Sequence, residues 1–259
     1  MSNIGTGASL FPAWAQPAGG SPLLNGLIHY WPLNETTGAR VDVVGGLNLT
    51  PGANVAYAAG KNSNAADCKH ATANSQLINT SAAGKAEVGA GGLTMFFWYN
   101  PYAGAPATQV LLPQKYNAQA GTFEWYLEIN PSTGVLSFLV SGGDGDGAEG
   151  TISNVTTTAN AFDPTGASGW YFLVLTYDPS DRGCHIYVND AEATYAAGTL
   201  KRDAGPLFTG GDRIDFGYSS ANSGANGLVD EIAIYDTLLS ASQLTELYNA
   251  GAGKFYPFS

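Results

Sequence analysis

The chain has 259 residues, 44% hydrophobic and 12% charged, with 34 glycines and 14 tyrosines; ten lysines and arginines stand against 21 acidic residues, for a net charge of −11. Lys201-Arg202 is the one adjacent basic pair and Asp203 follows it, so the clustered cations that displace counterions from phosphate are missing, which argues against nucleic acid and anionic membrane surfaces as partners. Low charge, many aromatics and abundant turn formers read as short strands joined by loops, in a chain long enough to bury a core without disulfide or metal staples.

Residues 1–25 (MSNIGTGASLFPAWAQPAGGSPLLN) carry Pro12, Pro17 and Pro22 among glycines and alanines, with Leu10, Phe11 and Trp14 as isolated apolar anchors. They read as an extended arm that lies against its own domain or a neighbouring subunit, ahead of a single domain at 26–259. The N-terminus has neither the basic stretch nor the apolar run of a secretory signal, and no apolar segment approaches the ~18 residues of a membrane span. From Gly26 onward the signal is β. Leu27–Leu33 alternates large residues, and Leu93–Asn100 (LTMFFWYN) is apolar almost throughout, as a strand covered on both sides would be. Thr122–Asn130 and Gly134–Ser141 flank Pro131-Ser132-Thr133 and read as a hairpin; Trp170–Tyr177 and Cys184–Val188, on either side of residues 178–183, read as a second. Arg213–Tyr218 and Gly227–Tyr235 are further strands. One helix follows: Ser240 and Gln243 have capping-box spacing, Leu244, Leu247 and Tyr248 share a face, and Gly251 is the expected stop. Without strand–helix alternation the fold class is all-β, an antiparallel two-sheet jelly-roll sandwich with one short C-terminal helix.

Chemistry-bearing residues are sparse. Cys68 and Cys184 read as buried or half-buried free thiols rather than a disulfide, and His70 and His185 adjoin them without further ligands at zinc spacing. His29, His70 and His185 all fall in or beside strands as structural residues, and no G-x-S-x-G occurs. Glu124 and Glu128 could share a face, but Trp125, Leu127 and Ile129 alternate with them, which places the two acids on the solvent side of a half-buried strand. Asp230 and Glu231 adjoin, so their side chains are expected on opposite faces. The segment SGGDGDGAEG at 141–150 carries Asp144, Asp146 and Glu149 among glycines; it reads as a solvated loop or as a set of Ca²⁺ ligands. Among Trp98, Tyr99, Tyr102, Trp125, Tyr126 and Tyr218, most are expected in the core. Tyr102 and Tyr218, next to loops, are the candidates for stacking on a sugar.

Several segments in order carry a resemblance. Gly26–Glu35 (GLIHYWPLNE) is followed by Val41-Asp42 and Gly45-Gly46-Leu47; Gly169–Asp178 (GWYFLVLTYD) is followed by Cys184–Asp190 (CHIYVND); Gly227–Asp236 (GLVDEIAIYD) leads into Leu239–Leu244. Together, over residues 26–250, they resemble the laminin G-like members of the concanavalin A-like lectin/glucanase superfamily. The resemblance implies two antiparallel sheets of six or seven strands each, and by analogy makes Asp42 a further candidate calcium ligand. Two departures stand out: Asn189-Asp190 replaces the usual Asn-Gly, and the hydrolase branch's E-x-D-x-x-E or E-x-D-x-E strand is absent. The expectation is a non-catalytic structural or interaction protein of a large assembly. Its concrete form is a phage virion decoration, tail or fibre component, made in the host cytoplasm, that joins protein subunits of the same assembly through its arm and also contacts surface glycans. The alternative is a free-standing carbohydrate-binding lectin, cytoplasmic or secreted without a recognisable signal; a glycoside hydrolase ranks third. No cofactor is required on any of these readings, and Ca²⁺ is the one ion the residues suggest.

Overall fold

The computed structural model describes residues 20–69, 74–88, 90–103, 110–117, 120–130, 132–142, 152–163, 166, 169–203, 207–217 and 225–259. Residues 1–19 of the arm, His70, Pro131, Asp144, Asp146, Glu149 and Tyr218 lie outside the described residues. In chain order the strands are β1 (Leu27–Trp31), β2 (Thr50–Pro51), β3 (Ala56–Ala59), β4 (Asn64–Cys68), β5 (Leu77–Asn79) and β6 (Leu93–Pro101). Next come β7 (Val110–Asn117), β8 (Thr122–Asn130), β9 (Val135–Ser141), β10 (Ile152–Thr156), β11 (Tyr171–Asp178) and β12 (Gly183–Val188). The last are β13 (Ala191–Glu192), β14 (Lys201–Arg202), β15 (Arg213–Phe216) and β16 (Gly227–Tyr235), before helix α1 (Ala241–Tyr248).

These strands pair antiparallel into two sheets of eight, not six or seven, because two-residue strands extend the edges. The first runs β13-β12-β11-β6-β16-β4-β3, with β1 also on β16; the second runs β14-β10-β9-β8-β7-β15-β5-β2. Both expected hairpins form, β8 with β9 and β11 with β12. The core between the sheets takes Trp31, Phe97 and Leu173 from the first and Trp125, Leu127, Phe138 and Phe216 from the second, each such side chain contributing roughly 1.5–3 kcal/mol on burial.

The reason β6 is apolar on both faces lies outside that core. Phe96 and Trp98 alternate with Met95, Phe97 and Tyr99, and they enter a second cluster with Leu23, Tyr30, Phe172, Tyr235, Leu244, Leu247 and Phe258. Helix α1 and the C-terminal tail thus seal the outer face of the first sheet. The capping box forms as its spacing requires: Gln243 N donates to Ser240 Oγ at 3.3 Å, and Ser240 N to Gln243 Oε1 at 2.9 Å. The helix stops at Asn249 (φ 48°), two residues before the expected Gly251, since asparagine also tolerates the left-handed conformation. Pro22–Leu24, at the end of the expected arm, form a capped turn whose Leu23 is buried, with Leu23 O accepting from the Tyr235 hydroxyl at 3.0 Å.

Candidate functional site

The outer face of the second sheet is shaped by one irregularity. Lys115 pairs with Trp125 but Tyr116 pairs with Phe123, so Glu124 is an extra residue in β8. A bulge of this kind re-aims the residues on either side of it. Strict alternation would separate Phe123 from Tyr126; the bulge leaves both on the outer face beside Tyr116. The rings form a continuous half-buried strip, with centroids 5.8 Å apart for Tyr116–Phe123 and 5.1 Å for Phe123–Tyr126. The Arg213 guanidinium sits 5.3 Å above the Tyr116 ring.

Polar groups adjoin the strip. Asp215, Gln114 and Tyr126 occupy one cross-strand row. Asp215 accepts from Arg213 Nε at 2.8 Å, from the Tyr116 hydroxyl at 3.2 Å and from Gln114 Nε2 at 3.5 Å. Its carboxyl is fully buried, and burial raises its pKa against the pull of Arg213, Tyr116 and Gln114. Gln114 Oε1 is buried without a partner among the described residues. Glu128, Ser137, Asn154 and Thr156 continue the face as half-buried polar side chains.

The same bulge overturns the expectation for Glu124. It is 1% exposed rather than on the solvent side. Its Oε2 lies 2.7 Å from Lys115 Nζ, which also sits 2.7 Å from Glu87 Oε1, and its Oε1 accepts from Gly211 N at 2.7 Å. Burial pushes Glu124 up to about 7 although Lys115 pulls the other way. Glu124 and Glu128 therefore do not act as a carboxylate pair.

Asp230 and Glu231 depart from expectation for a similar reason. The β16–β6 register shifts between Asp230 and Ala233, and Glu231 adopts φ 52°. This is also where β16 changes partner, from β4 at Gly227–Val229 to β1 at Ile232–Tyr235. Both acids point into that gap and not to opposite faces. Asp230 Oδ2 accepts from Lys61 N at 2.8 Å and Asn62 N at 3.1 Å; Glu231 accepts from Asn62 Nδ2 at 2.8 Å and from the Tyr30 hydroxyl. Burial and the neighbouring Glu231 push Asp230 up to about 8, and burial pushes Glu231 to about 7. The pair is sealed inside the protein and closes a seam between strands.

Asp42 likewise is a clasp, not an open ion ligand. Oδ1 accepts from the N–H groups of Tyr30, Val44 and Gly45 at 2.9–3.1 Å, and Oδ2 from Leu47 N at 2.8 Å while meeting His29 Nδ1 at 2.7 Å. Burial alone would raise its pKa, but His29 and the backbone donors outweigh that and hold it at about 2. Gly45 is required here: a Cβ would stand 2.3 Å from His29 Nδ1 and from Ile28 O. With its oxygens so committed Asp42 does not fit a calcium site, and among the described residues no group of three or more His, Cys, Asp or Glu could hold a metal ion.

Tyr102 is half-buried, and its hydroxyl donates to Asp67 Oδ1 at 2.8 Å. Trp98, Tyr99 and Trp125 are core residues as expected, whereas Tyr126 belongs to the outer strip. Cys68 and Cys184 are buried free thiols. Among the described residues, no helix is long and apolar enough to cross a membrane.

Several solved structures share this architecture. The binding domain of Paraclostridial Mosquitocidal Protein 1 superposes with a TM-score of 0.67 at 16% identity, over 88% of this chain and 53% of that one. The botulinum neurotoxin serotype D ligand binding domain in complex with N-acetylneuraminic acid gives 0.62 at 15% identity, over 87% and 51%. Trypanosoma rangeli sialidase in complex with 2,3-difluorosialic acid gives 0.61 at 13% identity, over 88% and 34%. The chain thus spans about half the length of the two toxin binding domains. No curated protein matches it significantly in sequence. The family model described as the concanavalin A-like lectin/glucanases superfamily, of laminin G type, matches residues 72–245. On that match and the two-sheet sandwich, the chain belongs to the concanavalin A-like lectin/glucanase superfamily.

Proposed function

We propose that this domain is a non-catalytic carbohydrate-binding module whose ligand lies across Tyr116, Phe123 and Tyr126 on the outer face of the second sheet. The observation that carries the reading is the juxtaposition of that ring strip with Asp215, Gln114 and Arg213. A pyranose has an apolar C–H face and a rim of hydroxyls. It matches half-buried rings beside the partly exposed Arg213 guanidinium, which the buried Asp215 holds in place. The structural neighbours include a ligand-binding domain in complex with N-acetylneuraminic acid, which supports a saccharide as the ligand class. The non-catalytic part rests on the carboxylates: Glu124 is ion-paired to Lys115, and Asp230 and Glu231 are buried under the Lys61–Asn62 turn. The virion reading rests on the arm, whose residues 1–19 lie outside the described residues, so the glycan reading takes precedence.

The test is a glycan array probed with the unsubstituted chain and with Phe123→Ala/Tyr126→Ala, both checked for native melting. Binding to a defined saccharide set, lost in the double variant, is the expected result. An array blank for the unsubstituted chain, or binding that survives the double substitution, would overturn the proposal.

A further inference from the structure

A cleft of about 330 Å³ lies between the segment that follows β10 in the second sheet and the β12–β13 hairpin of the first. That is the small end of the roughly 300–1,000 Å³ that ligand sites enclose. Backbone hydrogen bonds pin its walls. Thr158 N donates to Thr194 O at 2.8 Å, Asn160 N to Thr133 O at 2.8 Å, and Ala161 N to Gly134 O at 3.1 Å. The cleft is therefore preformed and does not depend on a loop closing over a ligand.

Its lining divides by chemistry. Ala161, Val188 and Ala193 are half-buried and pack against the core, and Tyr171 is a core residue. Beside this apolar part stand Thr158, Asn160 and Thr194, which are exposed and whose side chains hydrogen-bond to nothing among the described residues. Asn189 Oδ1 accepts from Phe172 N at 3.2 Å, which fixes the amide and leaves its Nδ2 as a donor. Glu192 is the one carboxylate of the lining, and no lysine, arginine or histidine shares it. Its Oε1 accepts from the Tyr195 hydroxyl at 2.8 Å and meets His185 Nδ1 at 2.7 Å.

Charge and size narrow the ligand. An anion would meet Glu192 and a chain of net charge −11 with no cation in the lining to offset them. A wholly apolar molecule would strip water from the threonine and asparagine side chains without replacing its hydrogen bonds. A pyranose satisfies both requirements, and the volume suits one unit rather than a chain. We propose that this cleft is a second saccharide site, which takes one uncharged sugar unit with its C–H face on Ala161, Val188 and Ala193 and its hydroxyls toward Thr158, Asn189 and Thr194. It shares the saccharide class with the function proposed above and none of the residues. The two sites select differently, because the ring strip has the Arg213 guanidinium beside it and the cleft has Glu192.

A single unit held this way binds in the roughly millimolar range, too weakly to be kept on a washed array. The experiment is therefore a titration of the isotope-labelled full chain, read from its amide NMR signals. The probes are the methyl glycosides of glucose, galactose, mannose, N-acetylglucosamine and N-acetylgalactosamine, with N-acetylneuraminic acid as the anionic counterpart. At least one neutral glycoside should move the amides of Asn189, Ala193 and Thr194 along a saturating curve, and equally so in Phe123→Ala/Tyr126→Ala. Thr158→Ala/Thr194→Ala, at two exposed positions, should weaken that binding about tenfold. Ala191→Trp, which crowds the cleft from another exposed position, should abolish it, both variants keeping the melting curve of the unsubstituted chain. Asn160 and Asn189 are kept, because φ of 63° and 61° places them in the left-handed region that asparagine tolerates. Silence with every neutral glycoside would overturn the proposal, as would a stronger response to N-acetylneuraminic acid, shifts confined to the ring strip, or binding that survives both variants. The array reports on the strip and these amides on the cleft, so either site can fail without the other.

Discussion

Replacing Lys115 by methionine tests the ion triad directly. The lysine is fully buried, with both Glu87 and Glu124 at 2.7 Å, and Glu124 is itself 1% exposed. In Lys115→Met, Glu124 keeps the Gly211 N–H but loses its cation, while Glu87, at 25% side-chain exposure, can hydrate. Removing one partner of a buried ion pair costs about 3–5 kcal/mol. At roughly 2–4 °C per kcal/mol for a chain of this size, the melting temperature should fall by about 6–20 °C at pH 8. The pH dependence has a definite sign. Glu124 stands at about 7 with its lysine present and rises further without it. At pH 5 the acid is neutral in the variant and sits in its site with little penalty, so the deficit shrinks there. Lys115→Met/Glu124→Gln, which removes both charges, should recover most of the loss at pH 8. Urea titrations at pH 5 and pH 8 on the four members of this cycle measure the coupling. A deficit under about 1 kcal/mol at pH 8, or equal deficits at both pH values, would refute the reasoning.

Two further carboxylate effects run in opposite directions. Asp230 and Glu231 are raised to about 8 and about 7. Their contribution is fully present below the unfolded carboxylate range near pH 4 and is lost as pH rises to about 8; Glu231→Gln should flatten that decline, and unfolding midpoints measured from pH 5 to 8 with an unchanged slope would count against it. Asp42, held at about 2, contributes roughly 2 kcal/mol that is present above pH 4 and lost as pH falls toward 2. Asp42→Asn should abolish that acid limb and lower stability at neutral pH; an acid limb identical to that of the unsubstituted chain would exclude the clasp as its source.

Regular periodicity made much of the fold legible. The apolar runs of β6 and β11, the alternation in β9 and β12 and the cap at Ser240 each reflect a local rule that the tertiary structure obeys. The exposed strand β3 and the proline-containing strand β7 carry no such pattern, because their side chains do not face one uniform environment. The candidate face was hidden for a more specific reason. Alternation from Trp125 outward assigns Glu124 to solvent, but the bulge adds one residue and reverses the assignment, sending Glu124 to Lys115 and bringing Phe123 beside Tyr126. The same arithmetic fails at Asp230-Glu231, where β16 changes partner. Asp42 was expected as a calcium ligand by analogy; its partners are the His29 ring and backbone N–H groups, and the latter are not recorded in a pattern of side chains.

The sealing of the first sheet determines how the domain can be held. Leu23, close to where the described chain begins, and Phe258, next to its last residue, enter the same apolar cluster behind that sheet. The C-terminal attachment point therefore lies on the side turned away from Tyr116, Phe123 and Tyr126. A tether at the C-terminus, whether a neighbouring domain or the surface of a sensor chip, would leave the ring strip pointing outward, so immobilisation by a C-terminal tag keeps that face available to ligands in solution.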